Sequence, residues 1–324
     1  MKREILKTVC PILRDFLVYT ETIKGISSNT IEQYYFDLTL FFKFLKLERG
    51  IVNDNTPFED IVTNDVDVDF LKSITVTDLY AFLVYCKDER ENVASTRSRK
   101  VSALRSFFKY LTNKVHLLPI NPAAELSTPK QRKSLPVHLS IEQSLELLKA
   151  VDGKFKERDY CIITLFLNCG MRLSELCSIN YTDIKPDGSL KIVGKGNKER
   201  IIYLNDACMN AVTDYMRVRP NDGVPQKDKN ALFLSARHTR ISNKTVQYIV
   251  KSALAKAGLG GQGYSTHKLR HTAATLMYQG GVDIRILKEV LGHSNLGTTQ
   301  IYTHVANNQV EDAFKANPLS KVKK

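Results

Sequence analysis

The chain has 324 residues, 43% hydrophobic and 25% charged, the composition of a soluble globular protein with room for two cores. No apolar run approaches membrane-spanning length, and the opening Met1-Lys2-Arg3-Glu4-Ile5 lacks the apolar stretch of a secretory signal, so membrane and secreted classes are set aside. The net charge of +13 is uneven: residues 1–127 hold 17 Lys+Arg and 17 Asp+Glu while residues 128–324 hold 30 and 17, and a basic C-terminal body suggests a polyanionic partner.

In chain order, residues 1–125 read as helical. Ile31, Tyr34, Tyr35, Leu38, Phe41, Phe42 and Leu45 follow helical spacing, and Asn29 or Thr30, with Glu32 or Gln33 three residues on, predicts a capping-box start. Residues 50–74, with Asp54, Glu59, Asp60, Asp65, Asp67 and Asp69, read as an acidic surface connection. Two helices follow, at about 75–91 and 95–112. In the second, Val101, Leu104, Phe108 and Leu111 form one stripe, and Ser98, Arg99, Ser102, Arg105, Ser106 and Lys109 line the opposite face. Short hydroxyls with bases reaching past them suit a DNA groove, though the helix alone leaves a solvated basic face equally open.

Residues 128–138 carry two prolines and three bases and read as an interdomain linker. Ser140-Ile141-Glu142-Gln143 is a capping box opening the next helix. Helices are expected at about 156–169, 173–179, 206–218, 243–257, 267–280 and 283–291, with Val310, Ala313 and Phe314 on a short final one. Leu190–Val193 and Arg200–Leu204 read as strands joined by a Gly194-Lys195-Gly196-Asn197 turn. The expected class is therefore mainly α, in two domains, the second a mixed α+β domain with a small β-hairpin. Cysteines 10, 86, 161, 169, 177 and 208 show no CxxC pairing and read as reduced, mostly buried thiols, which points to the cytoplasm.

Attack on a DNA phosphate needs a nucleophile, a leaving-group acid and charge neutralisation on the nonbridging oxygens. Arg172 and Arg270 are candidates for the last, because a guanidinium fork binds two phosphate oxygens. Either one alone would read as a surface salt bridge. Lys195, on its glycine-flanked turn, can protonate a leaving 5′ oxygen, although such lysines are usually just solvated. The turn is no phosphate-cradling nucleotide loop, since Gly188 stands with five residues before Gly194 and Gly196 occupies the Ser/Thr position.

His267 and His271 share a helix face, but Lys268 stands where a metalloprotease motif needs Glu and no third ligand has suggestive spacing, so no metal is assigned. His267 reads as a proton-transfer and phosphate-binding group, and His271 as a core or supporting histidine. Glu175, one turn after Arg172, can orient Arg172 or His267. His293 follows Leu291-Gly292 at a helix end and can donate to a nonbridging oxygen. Tyr302 is the candidate nucleophile; a phenol with a pKa near 10 needs arginines and a base nearby.

Each signal is weak singly, but their order is specific. Gly170-Met171-Arg172-Leu173-Ser174-Glu175-Leu176, the Gly194–Arg200 hairpin, His267-Lys268-Leu269-Arg270-His271, Leu291-Gly292-His293 and Ile301-Tyr302-Thr303-His304 succeed one another as in the tyrosine recombinases. The chain resembles that family over essentially its whole length, and within it the Xer type. The resemblance implies a SAM-like core-binding domain at 1–127, a linker at 128–139 and a catalytic domain at 140–324, clamping double-stranded DNA at a specific site. It implies a 3′-phosphotyrosyl intermediate at Tyr302, with Arg172, Arg270 and His293 on the phosphate, Lys195 as general acid and His267 in proton transfer. Neither cofactor nor metal is needed, since bond energy is kept in the phosphotyrosine.

The same resemblance implies a homo- or hetero-tetramer exchanging segment 309–317, allows for activation by a DNA translocase, and points to chromosome dimer resolution. It also tips Arg99, Ser102, Arg105 and Lys109 toward DNA. Thr266 stands where the family often has Pro, the 50–74 stretch is longer than in compact Xer proteins, and no arm-binding domain precedes residue 1, which favours Xer over phage or transposon integrases. The alternatives are a mobile-element integrase, a type IB-like topoisomerase, or a DNA-binding protein that no longer catalyses.

Overall fold

Pro11 opens the first helix, α1 (Pro11–Thr22), at a position where its missing N–H has no partner to lose. The computed structural model describes residues 8–53, 55–130, 137–194 and 199–292. The chain divides into two compact units, the first ending at residue 133.

In the first unit, α1 packs on α2 (Ser28–Glu48), which packs in turn on α4 (Val76–Asp88) and α5 (Ala94–Asn113). The helix expected from residue 29 or 30 begins earlier: Ser27 is the N-cap residue, in extended conformation, and its hydroxyl meets Thr30 Oγ1 at 3.0 Å. The predicted apolar stripe is buried at Ile31, Leu38, Phe41, Phe42 and Leu45. Phenylalanines set the packing, with Phe16–Phe107 at 5.2 Å and Phe41–Phe82 at 5.1 Å between ring centres, both edge-on. Such pairs add about 0.5–1.5 kcal/mol each beyond the area they bury.

The acidic stretch 50–74 is more than a surface connection. Ile61, Val66, Leu71 and Ile74 are buried, and a short helix α3 (Val68–Lys72) starts where Asp67 accepts the Phe70 N–H at 2.8 Å. Buried Lys46 reaches from α2 to Asp65 and to the Val62 carbonyl at 3.0 Å. The acidic residues thus alternate with apolar anchors, a pattern hidden by the local charge density. In α4, Thr75 and Asp78 form a reciprocal capping box.

The second unit begins inside the expected linker, for Leu139 is fully buried and donates its N–H to Thr272 Oγ1 at 3.0 Å. The capping box of Ser140 and Gln143 opens α6 (Ile141–Lys149) as expected. Helix α7 (Lys156–Cys169) is the centre of this unit, with α6, α9 (Asp206–Val218), α10 (Asn243–Lys256) and α11 (Thr266–Gln279) against it. Its Cys161, Ile162, Ile163, Leu165 and Phe166 are buried on several sides, which explains an almost unbroken apolar run rather than a one-sided stripe. Between α8 (Leu173–Ser178) and α9 lies an antiparallel hairpin, β1 (Ser189–Val193) and β2 (Glu199–Tyr203), pairing Leu190 with Ile202 and Ile192 with Arg200. Helix α12 (Ile284–Leu291) closes against α11 and β2. All six cysteines are buried, and no described helix is long and apolar enough to cross a membrane.

Candidate active site

The site begins where α7 stops. Gly170 takes the left-handed conformation (φ +58°) that ends a helix, and a Cβ there would lie 2.9 Å from the Leu291 side chain. Glycine therefore both turns the chain and lets α12 approach. Two residues later Arg172 is the N-cap of α8, and Glu175 sits one turn in, accepting the Arg172 backbone N–H at 2.7 Å. A carboxylate at that position satisfies an orphan helix donor and is favoured by the dipole.

Glu175 does more than cap. Its carboxylate is 2% exposed and accepts Arg172 Nη1 at 2.7 Å, Arg200 Nη1 at 2.9 Å and Arg200 Nη2 at 2.8 Å, while Arg270 Nη1 lies 3.9 Å away. Burial pushes this carboxyl up, but the Arg200 bonds, and after them those from Arg172, outweigh it and hold it at about 2. Three guanidiniums around one carboxylate leave a surplus of two positive charges. Arg172 is the open member, 32% exposed.

The same three arginines grip the last turn of α12. Arg200 Nε donates to the Val290 carbonyl at 2.9 Å, Arg270 Nη2 to Leu291 at 2.6 Å and Arg172 Nη2 to Gly292 at 2.8 Å. These are successive carbonyls at the C-terminal end of the helix, and the cations sit at the negative end of its dipole. Gly292 takes a left-handed turn (φ +63°) immediately before His293.

Helix α11 supplies Arg270 and the histidines. Ser265 caps it, its side chain accepting the Lys268 N–H, and Thr266 is its first residue, so the helix starts without a Pro at that position. His267 and His271 meet edge-to-face one turn apart with their Nε2 atoms 3.1 Å apart. Burial, then the charges of Arg270, Lys268 and Arg172, lower the His267 pKa, so its imidazole is neutral at pH 7. A neutral ring beside the arginines can take a proton or donate one hydrogen bond.

Of the expected residues, Arg172, Glu175, His267, Arg270 and His271 are brought together within this unit. Lys195, His293, Tyr302 and the segment 309–317 lie outside the described residues. Sequence alone offers Arg200 only as part of a motif. Its signal is its parity: it lies two residues from buried Ile202 and opposite buried Ile192, an arginine on the inner face of a strand.

On α5, Ser102, Arg105 and Lys109 are exposed as expected. Arg99, partly exposed, is already paired within the fold. With buried Lys100, whose Nζ lies 2.9 Å from Oδ1, it pairs with Asp37 of α2, itself 2% exposed.

Comparison with known proteins agrees with this geometry. Residues 138–309 match the phage integrase family, and residues 58–114 match the phage integrase N-terminal SAM-like domain. The chain is 56% identical over 311 residues to tyrosine recombinase XerC of Caldanaerobacter subterraneus subsp. tengcongensis, covering 96% of this chain and 87% of that one. It is 33% identical over 303 residues to tyrosine recombinase XerD of Proteus mirabilis, covering 93% and 90%. Its fold is that of XerH site-specific recombinase in a post-cleavage complex with palindromic difH substrate, with a TM-score of 0.69 at 22% identity over 96% and 95% of the two chains.

Proposed function

The chain belongs to the phage integrase family of tyrosine recombinases, and from that premise we propose that this site-specific recombinase resolves chromosome dimers by the chemistry of the site around Glu175. The observation that carries the reading is the surplus of two positive charges beside a partly exposed Arg172. A phosphodiester carries one negative charge, and its pentacoordinate transition state carries two. Preorganised cations that match the second value favour the transition state over the ground state.

In the proposed cycle the Tyr302 hydroxyl attacks phosphorus. The phosphorus–oxygen bond to the 5′ side breaks, and Lys195 gives a proton to the departing 5′ oxygen. Neutral His267 receives or steadies the phenolic proton, and Arg172, Arg270 and His293 bear the charge on the nonbridging oxygens. The product is a 3′-phosphotyrosyl bond and a free 5′ hydroxyl. A partner strand's hydroxyl then attacks that bond and releases the tyrosine. One phosphoester replaces another at each step, so no nucleotide is consumed.

Residues 1–127 serve as the core-binding domain and 140–324 as the catalytic domain, holding double-stranded DNA at a specific site. Segment 309–317 joins protomers in a tetramer, homomeric or with a second recombinase. The work is done in the cytoplasm, where the chromosome is.

The test is adduct formation on nicked suicide DNA carrying a chromosomal resolution site. Wild-type protein forms an SDS-resistant adduct, and Tyr302→Phe binds the DNA but forms none. An adduct surviving in Tyr302→Phe would assign the nucleophile elsewhere.

A further inference from the structure

Arg200 bonds to two parts of the site at once. Two of its N–H groups lie in parallel on the two oxygens of Glu175, at 2.9 and 2.8 Å, and its third, Nε, points the other way to the Val290 carbonyl at 2.9 Å. Only a guanidinium supplies that geometry; a lysine ammonium is a point charge that serves one oxygen at a time. Gly292 adds a second, independent sign. A Cβ there would lie 3.1 Å from Arg200 Nη1 and 3.3 Å from both Cδ and Cζ, so the chain passes the guanidinium closely at a residue already in a left-handed turn. At 13% exposure, with Nε and both Nη atoms engaged by protein acceptors, Arg200 is less open than Arg172 at 32%.

We infer that Arg200 is a positioning residue for strand cleavage: by clamping Glu175 to the end of α12 it holds the Arg172 guanidinium where a phosphate meets it. This rests on the recombinase reading above. Arg172 is bound to Glu175 by one Nη and to the Gly292 carbonyl by the other. Both of those acceptors are fixed by Arg200, one through the fork and the other through Val290, two residues earlier. Without Arg200 the carboxylate keeps its bonds to Arg172 and the longer Arg270 ion pair, and the two anchors are held together less tightly. A loss of about 1 Å in such an arrangement costs on the order of a hundredfold in rate.

The test uses full-length Arg200→Met and Arg200→Lys with nicked suicide DNA. Single-turnover adduct formation is measured at saturating DNA, and the dissociation constant by fluorescence anisotropy. For Arg200→Met the rate at saturating DNA falls at least about tenfold while the dissociation constant stays within about threefold, and Arg200→Lys recovers part of the rate. In an Arg172→Ala background Arg200→Met changes the rate less than about twofold, because it acts through Arg172.

The pH profile supplies a readout that a merely structural role does not move. In the wild type Glu175 is held at about 2 and stays ionised at working pH. Without Arg200, burial is opposed by fewer bonds and the carboxyl titrates higher. An acid limb then enters the profile of Arg200→Met, with the rate falling as pH falls through it. The same titration is followed without DNA by carbon-13 resonances of the Glu175 carboxyl. If the wild type were to form no adduct, the recombinase reading would fall, and this titration would decide whether Arg200 holds Glu175. An unchanged rate at saturating DNA overturns the inference. So does a Glu175 carboxyl that titrates alike with and without Arg200, and so does a loss confined to melting temperature and DNA affinity.

Discussion

Each unit of this protein buries a carboxylate among cations, and the two clusters differ in what they join and in the charge they leave over. Asp37 in α2 faces Lys100 and Arg99 of α5, and the pairing joins two neighbouring helices of one bundle. Glu175 faces Arg172, Arg200 and Arg270, drawn from α8, β2 and α11, with α12 gripped by the same side chains. The first cluster is a tie between two helices: Lys100 is buried, Arg99 meets Asp37 from a partly exposed rim, and one positive charge is left over. The second joins four elements and leaves two charges uncompensated, so it suits an anion that gains charge as it reacts. A buried carboxylate is thus better evidence of a site the more the cations around it outnumber it.

Three tests sharpen that contrast, beginning with catalysis. Arg172→Ala removes the open cation while Glu175 keeps the Arg200 fork, so the fold persists. Adduct formation at saturating DNA falls by about 10²–10³, the usual loss for one transition-state donor, read by single-turnover kinetics against an unchanged melting temperature. A rate within a few-fold of wild type would make this cluster another tie.

Asp37→Ala acts the other way. It strands Lys100 without its carboxylate in the first unit, and breaking a buried pair in this manner costs about 3–5 kcal/mol, read by urea denaturation of the full chain. The adduct rate of the molecules that remain folded and DNA-bound is unchanged.

The smallest effect is on salt dependence. Arg105→Ala with Lys109→Ala removes two exposed charges of α5, and the slope of log affinity against log salt falls by up to about 0.9 for each phosphate no longer neutralised. Arg99→Ala lowers that slope less than either, because Arg99 already shares Asp37 with Lys100. If Arg99 instead carried the slope, the tie would open when DNA binds.

Much of the molecule is legible in the chain itself. Helical period places α4, α5 and the helices from α6 to α12 within a few residues, and the Ser140–Gln143 capping box and the two strands form as expected. The order of Arg172, Glu175, His267 and Arg270 is enough to gather one site. The signals for the elements are local: a cap, a turn or a helix face is settled by residues within about four positions of one another.

What sequence could not decide is which distant groups each charge meets. Arg99 looks free because Asp37 lies 62 residues away. Arg200 stands out only as part of a hairpin motif because its carboxylate lies 25 residues back and its carbonyl 90 ahead. The acidic stretch 50–74 looks like loop because its anchors Val66, Leu71 and Ile74 are buried in a core supplied largely by residues distant along the chain. Periodicity and caps are written in the chain because they act along it. Whether a cation is spent inside the fold or left open for phosphate is a long-range balance of burial and pairing, and only the tertiary structure strikes it.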